Sequence, residues 1–456
     1  MTAPVAPMKI AFLAPAGAMH RHSGKFHKAL HYAPMTLATL AGMVPKEWDA
    51  RLTIYDETAG PIPLDLDDDI IAMTCITGTA ERCYRYADYY RSLGKTVIMG
   101  GAHPSLLPQE AARHADAVVA GLGEGSFVEA LTDWRRGELK TLYRQEPGAK
   151  VDGRPLPRRD LLDKRAYITL NTVEAVRGCN LQCTFCAYPQ AFGQKVHTRP
   201  VAEVVAEIRT LPGKIVVFPD VNLIADRAYA VALFTAMIPL KKWWFGLTTS
   251  AIGRQPELLR LLADSGCKGL LIGFESVSQA SQASMHKSFN RVDDYKALMR
   301  QLHDRGIMVM GCFAFGADGD DLTVFDETVR LIEEAKIDLP RFAVLTPFPS
   351  TPLYRELEQA GRIVKQGWPL YDVEHVVFQP KNMTPAELTS GLEHAWRKAY
   401  TLKSILRRLD LRRIKHMAVV FAILNFAYRI YAVHYAAFDE SVMADNSDIP
   451  APQGRP

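Results

Sequence analysis

The chain carries little excess charge of either sign. Its 54 Lys and Arg residues against 50 Asp and Glu leave a formal charge of +4 over 456 residues, too small a bias to hold a nucleic-acid backbone. A long unbroken apolar run is also missing. The most apolar stretch, 417–424 and onward to Phe438, is interrupted by Asn425, Arg429 and His434, which argues against a membrane-spanning helix. Nothing at the amino terminus reads as a signal peptide, and seven cysteines are too few for a disulfide-stapled secreted protein. What remains is an ordinary globular composition, 48% hydrophobic and 23% charged, long enough for two or three domains in a reducing cytosol.

Three of the seven cysteines lie together in Arg177-Gly178-Cys179-Asn180-Leu181-Gln182-Cys183-Thr184-Phe185-Cys186. The spacing is C-x3-C-x2-C, with an aromatic residue before the third cysteine. Thiolates on a short loop can hold three irons of a [4Fe–4S] cluster and leave the fourth without a protein ligand. An open coordination position belongs to a metal site that does chemistry, whereas a structural site closes its shell. Zinc is the rival reading, but it wants a fourth ligand and His197 is the one near candidate. The pattern resembles the radical S-adenosylmethionine (SAM) superfamily. That resemblance implies that Cys179, Cys183 and Cys186 ligate the cluster, that its open iron binds SAM, and that Phe185 lies against the adenine, with backbone near Ala187 and Tyr188 contacting the base. Cys75 and Cys312 fall in apolar strand-like runs and read as small core residues; Cys83 and Cys267 are scattered.

Residues 1–140 alternate apolar strand runs (9–13, 51–55, 70–74, 96–99, 117–119) with helical patterns (35–43, 82–93, 108–114, 126–136). Such alternation predicts a parallel sheet covered by helices, with ligands at the carboxyl ends of the strands. Glycines cluster at two of those ends, in Gly100-Gly101-Ala102-His103-Pro104 and Gly121-Leu122-Gly123-Glu124-Gly125. Glycine there lets backbone approach a bulky ligand, although it also simply ends strands. In order and spacing the two segments resemble the cobalamin-binding domain that precedes the barrel in a large radical SAM subgroup. The resemblance implies cobalamin contacts from Gly100, Gly101, His103, Gly121, Gly123 and Glu124, with Thr77 in the loop 76–79 beneath the face of the cofactor. The D-x-H-x-x-G signature is missing, so no histidine is expected below the cobalt. His20, His22, His27 and His31 read as solvated loop residues, with a metal or axial role as the alternative.

Residues 141–168, with Pro147, Pro155 and Pro157, read as a linker. A second alternation covers 169–360, with strands at 172–176, 215–218, 244–248, 269–272, 309–313 and 341–344. Helical patterns occupy 201–210, 227–238, 256–265, 292–305 and 322–334. Six such steps match the open (β/α)6 barrel of the radical SAM family, and the cysteine loop follows the first strand, at the face where barrels place their active sites. SAM contacts are expected at the ends of later strands: Asp220 and Asn222, then Thr249 and Ser250. Gly273-Phe274-Glu275-Ser276 resembles a GxES segment whose carboxylate or hydroxyl reaches the ribose. Helix capping is the alternative for Asp220 and Ser250. Pro347-Phe348-Pro349-Ser350-Thr351-Pro352-Leu353-Tyr354 resembles P-x-P-G-T-P-L-Y with Ser350 in place of glycine. It either shapes the substrate mouth or serves as a structural exit from the barrel.

The region 361–456 reads as helical. Lys403, Arg407, Arg408, Arg412, Arg413 and Lys415 adjoin the apolar stretch. The segment is expected to pack on the barrel, with rest on an anionic membrane surface as the alternative, and residues from Asp445 onward are expected to fray.

The resemblance covers nearly the whole chain. It implies an α/β architecture with a Rossmann-like cobalamin-binding domain, a partial (β/α)6 radical SAM barrel and a helical carboxyl-terminal region. The cofactors implied are a [4Fe–4S] cluster, SAM and cobalamin, with a flavodoxin or ferredoxin as electron donor. The expected reaction is methylation of an unactivated carbon in a small-molecule or lipid-like substrate: one SAM supplies the methyl group to cobalamin and a second gives the 5′-deoxyadenosyl radical. A cyclase or rearrangement enzyme using the same cofactors is the alternative, as in the bacteriochlorophyll oxidative cyclase. A cobalamin- or zinc-binding regulatory module is the non-enzymatic one. The substrate and the oligomeric state are not legible in the sequence.

Overall fold

A computed structural model describes residues 7–22, 32–145, 152–410 and 417–452. His27, His31, Pro147, Arg412, Arg413 and Lys415 lie outside the described residues. The first sheet comprises β1 (Lys9–Ala14), β2 (Arg51–Asp56), β3 (Ile70–Thr74), β4 (Thr96–Gly100), β5 (Ala117–Ala120) and β6 (Leu142–Arg144). All pair in parallel, in the order β2-β1-β3-β4-β5-β6. The central strands are apolar almost throughout because helices cover both faces. Leu37, Ala41, Phe127 and Leu131 pack on one side, and Ala80, Cys83, Tyr86 and Tyr90 on the other. Cys75 is fully buried, as expected of a core residue. The sixth strand falls in the segment read as a linker: it is only three residues long, too short for a periodicity to show.

The cysteine loop is preceded by β7 (Val176–Arg177), which pairs antiparallel with β8 (His197–Thr198). The barrel sheet then runs through β9 (Ile215–Val217), β10 (Trp243–Thr248), β11 (Cys267–Glu275), β12 (Met308–Phe315) and β13 (Leu339–Val344), parallel and in chain order. The strand expected at 172–176 is reduced to a single bridge, Thr172 to Val217. The reason is local. Val173 N–H still donates to Val217 O at 2.9 Å, but the next free N–H groups, of Ala175 and Val176, donate instead to the Asp220 carboxylate.

Side chains alternate across the barrel strands, as the pleat requires. Trp244, Ile272, Phe274, Phe313 and Phe342 point outward and are buried under helices. Phe245, Leu247, Leu271, Gly273, Met310, Cys312, Arg341 and Ala343 occupy the opposite parity and keep solvent contact in the lumen. Cys312 is therefore a lumen residue and not the buried core residue its apolar surroundings predict; its strand parity decides.

The carboxyl-terminal helices Pro385–Ala399 and Ala418–Val433 pack on the back of β13. Trp396 stands edge-on to Phe342, with ring centroids 5.3 Å apart, and stacks on Tyr400 and Tyr428. Burying each such ring contributes about 2–3 kcal/mol. Arg408 does not belong to a basic surface: it is fully buried and donates to the carbonyls of Ile337, Asp338 and Ala399. The stretch 445–452 also differs from expectation. Ile449 is buried, and Arg82 donates to Asp448 Oδ1 at 2.9 Å, which fastens this segment to the amino-terminal domain.

Candidate two-cofactor active site

A cavity of about 320 Å³ opens at the carboxyl ends of β3, β4 and β5. Leu37, Leu40, Ile98, Val119 and Phe127 give it an apolar floor, and Gly100, Gly101, Gly121 and Gly123 form its rim. Gly101 has φ +108°, and a Cβ there would stand 2.6 Å from Cys75 O; the turn after β4 needs glycine on both counts. The far wall comes from the barrel: Glu174, Arg177, Tyr188 and Phe192. A glycine-rimmed cleft with an apolar floor at strand ends fits the nucleotide tail of a corrinoid.

Charge ties the two walls together. Arg177 donates to Glu124 and, at 2.6 Å, to Glu174; Arg154 donates to the same two carboxylates at 3.2 and 2.9 Å. Burial works to raise the Glu174 pKa, but Arg177 and Arg154 outweigh it and hold the carboxyl below its usual range. Glu124 thus lines the cavity while bridging the domains. His103 and Thr77 are placed differently. Both are buried, with His103 Nδ1 3.3 Å from Thr77 Oγ1 and Nε2 3.2 Å from Glu110, and neither lines the cavity. Glu110 also accepts from Tyr84 at 3.0 Å and from Trp368 Nε1 at 2.9 Å. The histidine is part of a strut between the first domain and the carboxyl-terminal region.

The cysteine loop is pinned from several sides. Gly178 has φ +96°, and a Cβ there would fall 2.1 Å from Lys195 O, so the turn into Cys179 admits no side chain. Thr184 N–H donates to Met285 O at 3.2 Å, and Leu353 N–H donates to Thr184 O at 3.0 Å. The proline-rich segment after β13 therefore braces the loop. Within it Ser350 takes φ +62°, the conformation the related glycine allows, and its hydroxyl donates to Leu106 O at 3.1 Å in the other domain. Cys179, Cys183 and Cys186 are free thiols. Burial pushes the Cys183 thiol up to about 12 and raises Cys186 as well, so both hold their protons until a metal displaces them. Among the described residues no three His, Cys, Asp or Glu side chains are grouped as ligands of one metal ion. Three free thiols on one pinned loop, with no fourth protein ligand, suit a cluster of several irons.

Beside the loop, Lys287 Nζ donates to Glu275 Oε1 at 2.5 Å and stands 5.6 Å from the centre of the Phe185 ring. Burial lowers the Lys287 pKa, but Glu275 and the thiols outweigh it and raise the group overall. Gly273 makes room for the pair, since a Cβ there would meet Glu275 Oε1 at 2.3 Å. Ser250 and Ser276 are buried with their hydroxyls engaged: Ser250 donates to Asn290, and Ser276 accepts from Ser278 N–H at 3.0 Å. Asp220 Oδ2, Asn222 Oδ1 and Thr248 Oγ1 are buried at the ends of β9 and β10 without hydrogen-bond partners. Thr248 shares the outward parity of Trp244, but the orphans of Asp220 and Asn222 call for a polar ligand, and the hydroxyl and amino groups of SAM fit them. Sequence reasoning missed Arg154, Glu174, Arg177 and Lys287 as functional residues. Glu174 and Arg177 are neighbours in the chain, but the partners that tie them to the first domain, and those of Arg154 and Lys287, are distant in sequence.

The chain matches the Radical SAM superfamily over residues 173–332 and the B12 binding domain over residues 62–131. It is 31% identical over 389 residues to the bacteriochlorophyllide d C-12(1)-methyltransferase of Chlorobaculum tepidum, covering 83% of this chain and 84% of that protein. It is 26% identical to the bacteriochlorophyllide d C-8(2)-methyltransferase of the same organism, covering 82% and 87%. The solved structure of the cobalamin-dependent S-adenosylmethionine radical enzyme OxsB, with aqua-cobalamin and S-adenosylmethionine bound, shares the fold. Its TM-score is 0.68 at 14% identity, over 97% of this chain and 75% of that one. The chain belongs to the cobalamin-binding radical SAM family. It is a radical SAM enzyme of the methyltransferase kind, and its cofactors are a [4Fe–4S] cluster, SAM and cobalamin.

Proposed function

We propose that this enzyme transfers a methyl group to an unactivated carbon of an amphiphilic small molecule, a tetrapyrrole above all. The observation that carries the proposal is the shared cavity, whose rim belongs to the cobalamin-binding domain and whose far wall belongs to the barrel. When bound, the cluster and SAM supply a radical that removes a substrate hydrogen, and cobalamin supplies the methyl group. Cys179, Cys183 and Cys186 would hold the cluster; Asp220 and Asn222 would receive polar groups of SAM; the rim glycines would admit the corrinoid. The chain's own work is placement and exclusion of water: the Arg177–Glu124 bridge fixes one domain against the other, and Leu247, Leu271 and Met310 keep the lumen apolar.

Two relatives that are bacteriochlorophyllide methyltransferases by name support a tetrapyrrole and favour methyl transfer over cyclisation. Incubation under anaerobic reduction with methyl-labelled SAM and bacteriochlorophyllide d is expected to give labelled product. An altered but unlabelled product would overturn methyl transfer in favour of the cyclase reading. The reductant is a flavodoxin or ferredoxin type of donor.

A peripheral membrane contact belongs to the same proposal. Among the described residues no helix is long and apolar enough to cross a membrane. Yet the helix Ala418–Val433 exposes Val419, Ile423, Phe426 and Val433 along one side, beside exposed Leu402 and Leu406. Exposed Lys403 and Arg407 adjoin them. An apolar stripe next to cations suits an anionic bilayer surface. Flotation with phosphatidylglycerol vesicles should carry the protein upward, and I423S/F426S should cut the bound fraction by about half or more. Equal flotation of the two proteins would sink this part.

A further inference from the structure

We propose that Arg341 forms an anion-binding site on the lumen face of the barrel sheet and that the substrate carries a carboxylate there. This deepens the methyl-transfer reading and rests on it. Arg341 lies on β13 at the parity that faces the lumen, in register with Cys312 and, one strand further, with Gly273. Its neighbours Pro340 and Phe342 are buried outward, whereas Arg341 is exposed. Groups from four other parts of the chain act on it: Tyr32, Cys312, Glu374, and Tyr428 with Tyr431 of the carboxyl-terminal helix. The guanidinium therefore lies within electrostatic reach of several elements and stays accessible.

The Arg341 side chain makes no hydrogen bond or ion pair among the described residues. The arginines that are enclosed are answered. Arg82 meets Glu57 and Asp448, Arg177 meets Glu124 and Glu174, Arg199 meets Glu207, and Arg408 meets backbone carbonyls. An accessible guanidinium without a counter-ion is free to take one, and its planar fork of donors suits a carboxylate. Glu374 is a poor substitute. Its Oε1 accepts from Tyr431 at 2.9 Å, it makes no ion pair with Arg341, and burial beside Asp372 pushes its carboxyl up to about 7. The other lumen cation, Lys287, already has Glu275 at 2.5 Å and stands with the cysteines. Cys312 pairs with Arg341 across the strands and also feels Glu275 and Lys287. Leu271, Met310 and Ala343 line the strands around it. The lumen thus suits a largely apolar substrate anchored by one anionic group at the β13 side.

The test titrates the reconstituted holoenzyme with two acid and neutral pairs: bacteriochlorophyllide d with its methyl ester, and dodecanoate with dodecanol. At least one acid should bind wild type about tenfold or more tighter than its neutral partner, a difference of about 1.4 kcal/mol. In R341M that preference should fall to near unity, with iron content and SAM binding unchanged; R341K should keep part of it. Equal binding of acid and neutral forms to wild type, a preference that survives in R341M, or no binding of either acid overturns the proposal. Acid preference with no labelled methyl product would instead overturn the methyl-transfer reading and leave the anion site standing.

Discussion

The two cofactor regions are made by opposite means. The amino-terminal cleft is made by leaving side chains out: Gly100, Gly101, Gly121 and Gly123 open the rim, and the residues expected to reach in, His103 and Thr77, are tied to each other and to Glu110 below it. The barrel site is made by putting side chains in. Three thiols, the Lys287–Glu275 pair and the orphaned oxygens of Asp220 and Asn222 are its polar groups. A large cofactor that fills space needs room and backbone contact, whereas a cluster and a reactive SAM need donors at set positions. The difference teaches where each half is vulnerable: the first to added atoms, the second to removed ones.

The largest expected effect comes from crossing these two vulnerabilities. Replacing Cys179, Cys183 and Cys186 by alanine should abolish the iron chromophore and leave cobalamin affinity within about twofold. Gly101→Ala should do the reverse. Its Cβ would press on Cys75 O at 2.6 Å with φ at +108°, which costs about 1–3 kcal/mol at the turn and should weaken cobalamin binding about tenfold while iron loading persists. Anaerobic reconstitution, with iron content and corrinoid absorbance read on the same samples, checks both. Loss of both cofactors in both variants would show that the regions are not built independently.

The same contrast explains what was legible in the sequence. The cysteine loop spans eight positions, so all its ligands are neighbours in the chain. The glycine segments leave a compositional mark wherever strands end at a cleft, and the strand and helix periodicities of both sheets follow from burial alone. Legibility stops where partners are distant. Glu124 and Arg177 are 53 residues apart, and Lys287 and Glu275 belong to different elements. The reduced first barrel strand was hidden for the same reason, because Asp220, 44 residues on, takes the N–H of Val176. Arg341 did leave a signal: a lone charge in the strand run Leu339-Pro340-Arg341-Phe342-Ala343-Val344, on the face opposite its buried neighbours. Read by parity, it marks the lumen.

A smaller effect should sharpen the contrast within the barrel. Asp220 Oδ1 accepts from Ala175 N–H at 2.8 Å and from Val176 N–H, while Oδ2 is buried without a partner. Burial, with Glu174 adding to it, pushes this carboxyl from 3.8 up to about 7. Between those pH values the folded chain holds a proton that the unfolded chain has released, so stability must fall as pH rises from about 4 to 7 and level off above. At full effect the loss amounts to about 4 kcal/mol. Asp220→Asn keeps an oxygen for the two N–H groups and has nothing to titrate. In urea unfolding of the cofactor-free protein it should flatten the pH dependence, leaving the smaller slope that Glu374, also pushed up to about 7, contributes with the same sign. The variant should match wild type near pH 4 and exceed it above pH 7. An unchanged slope would mean that Asp220 is ionised in place and that its orphaned oxygen is already satisfied without SAM.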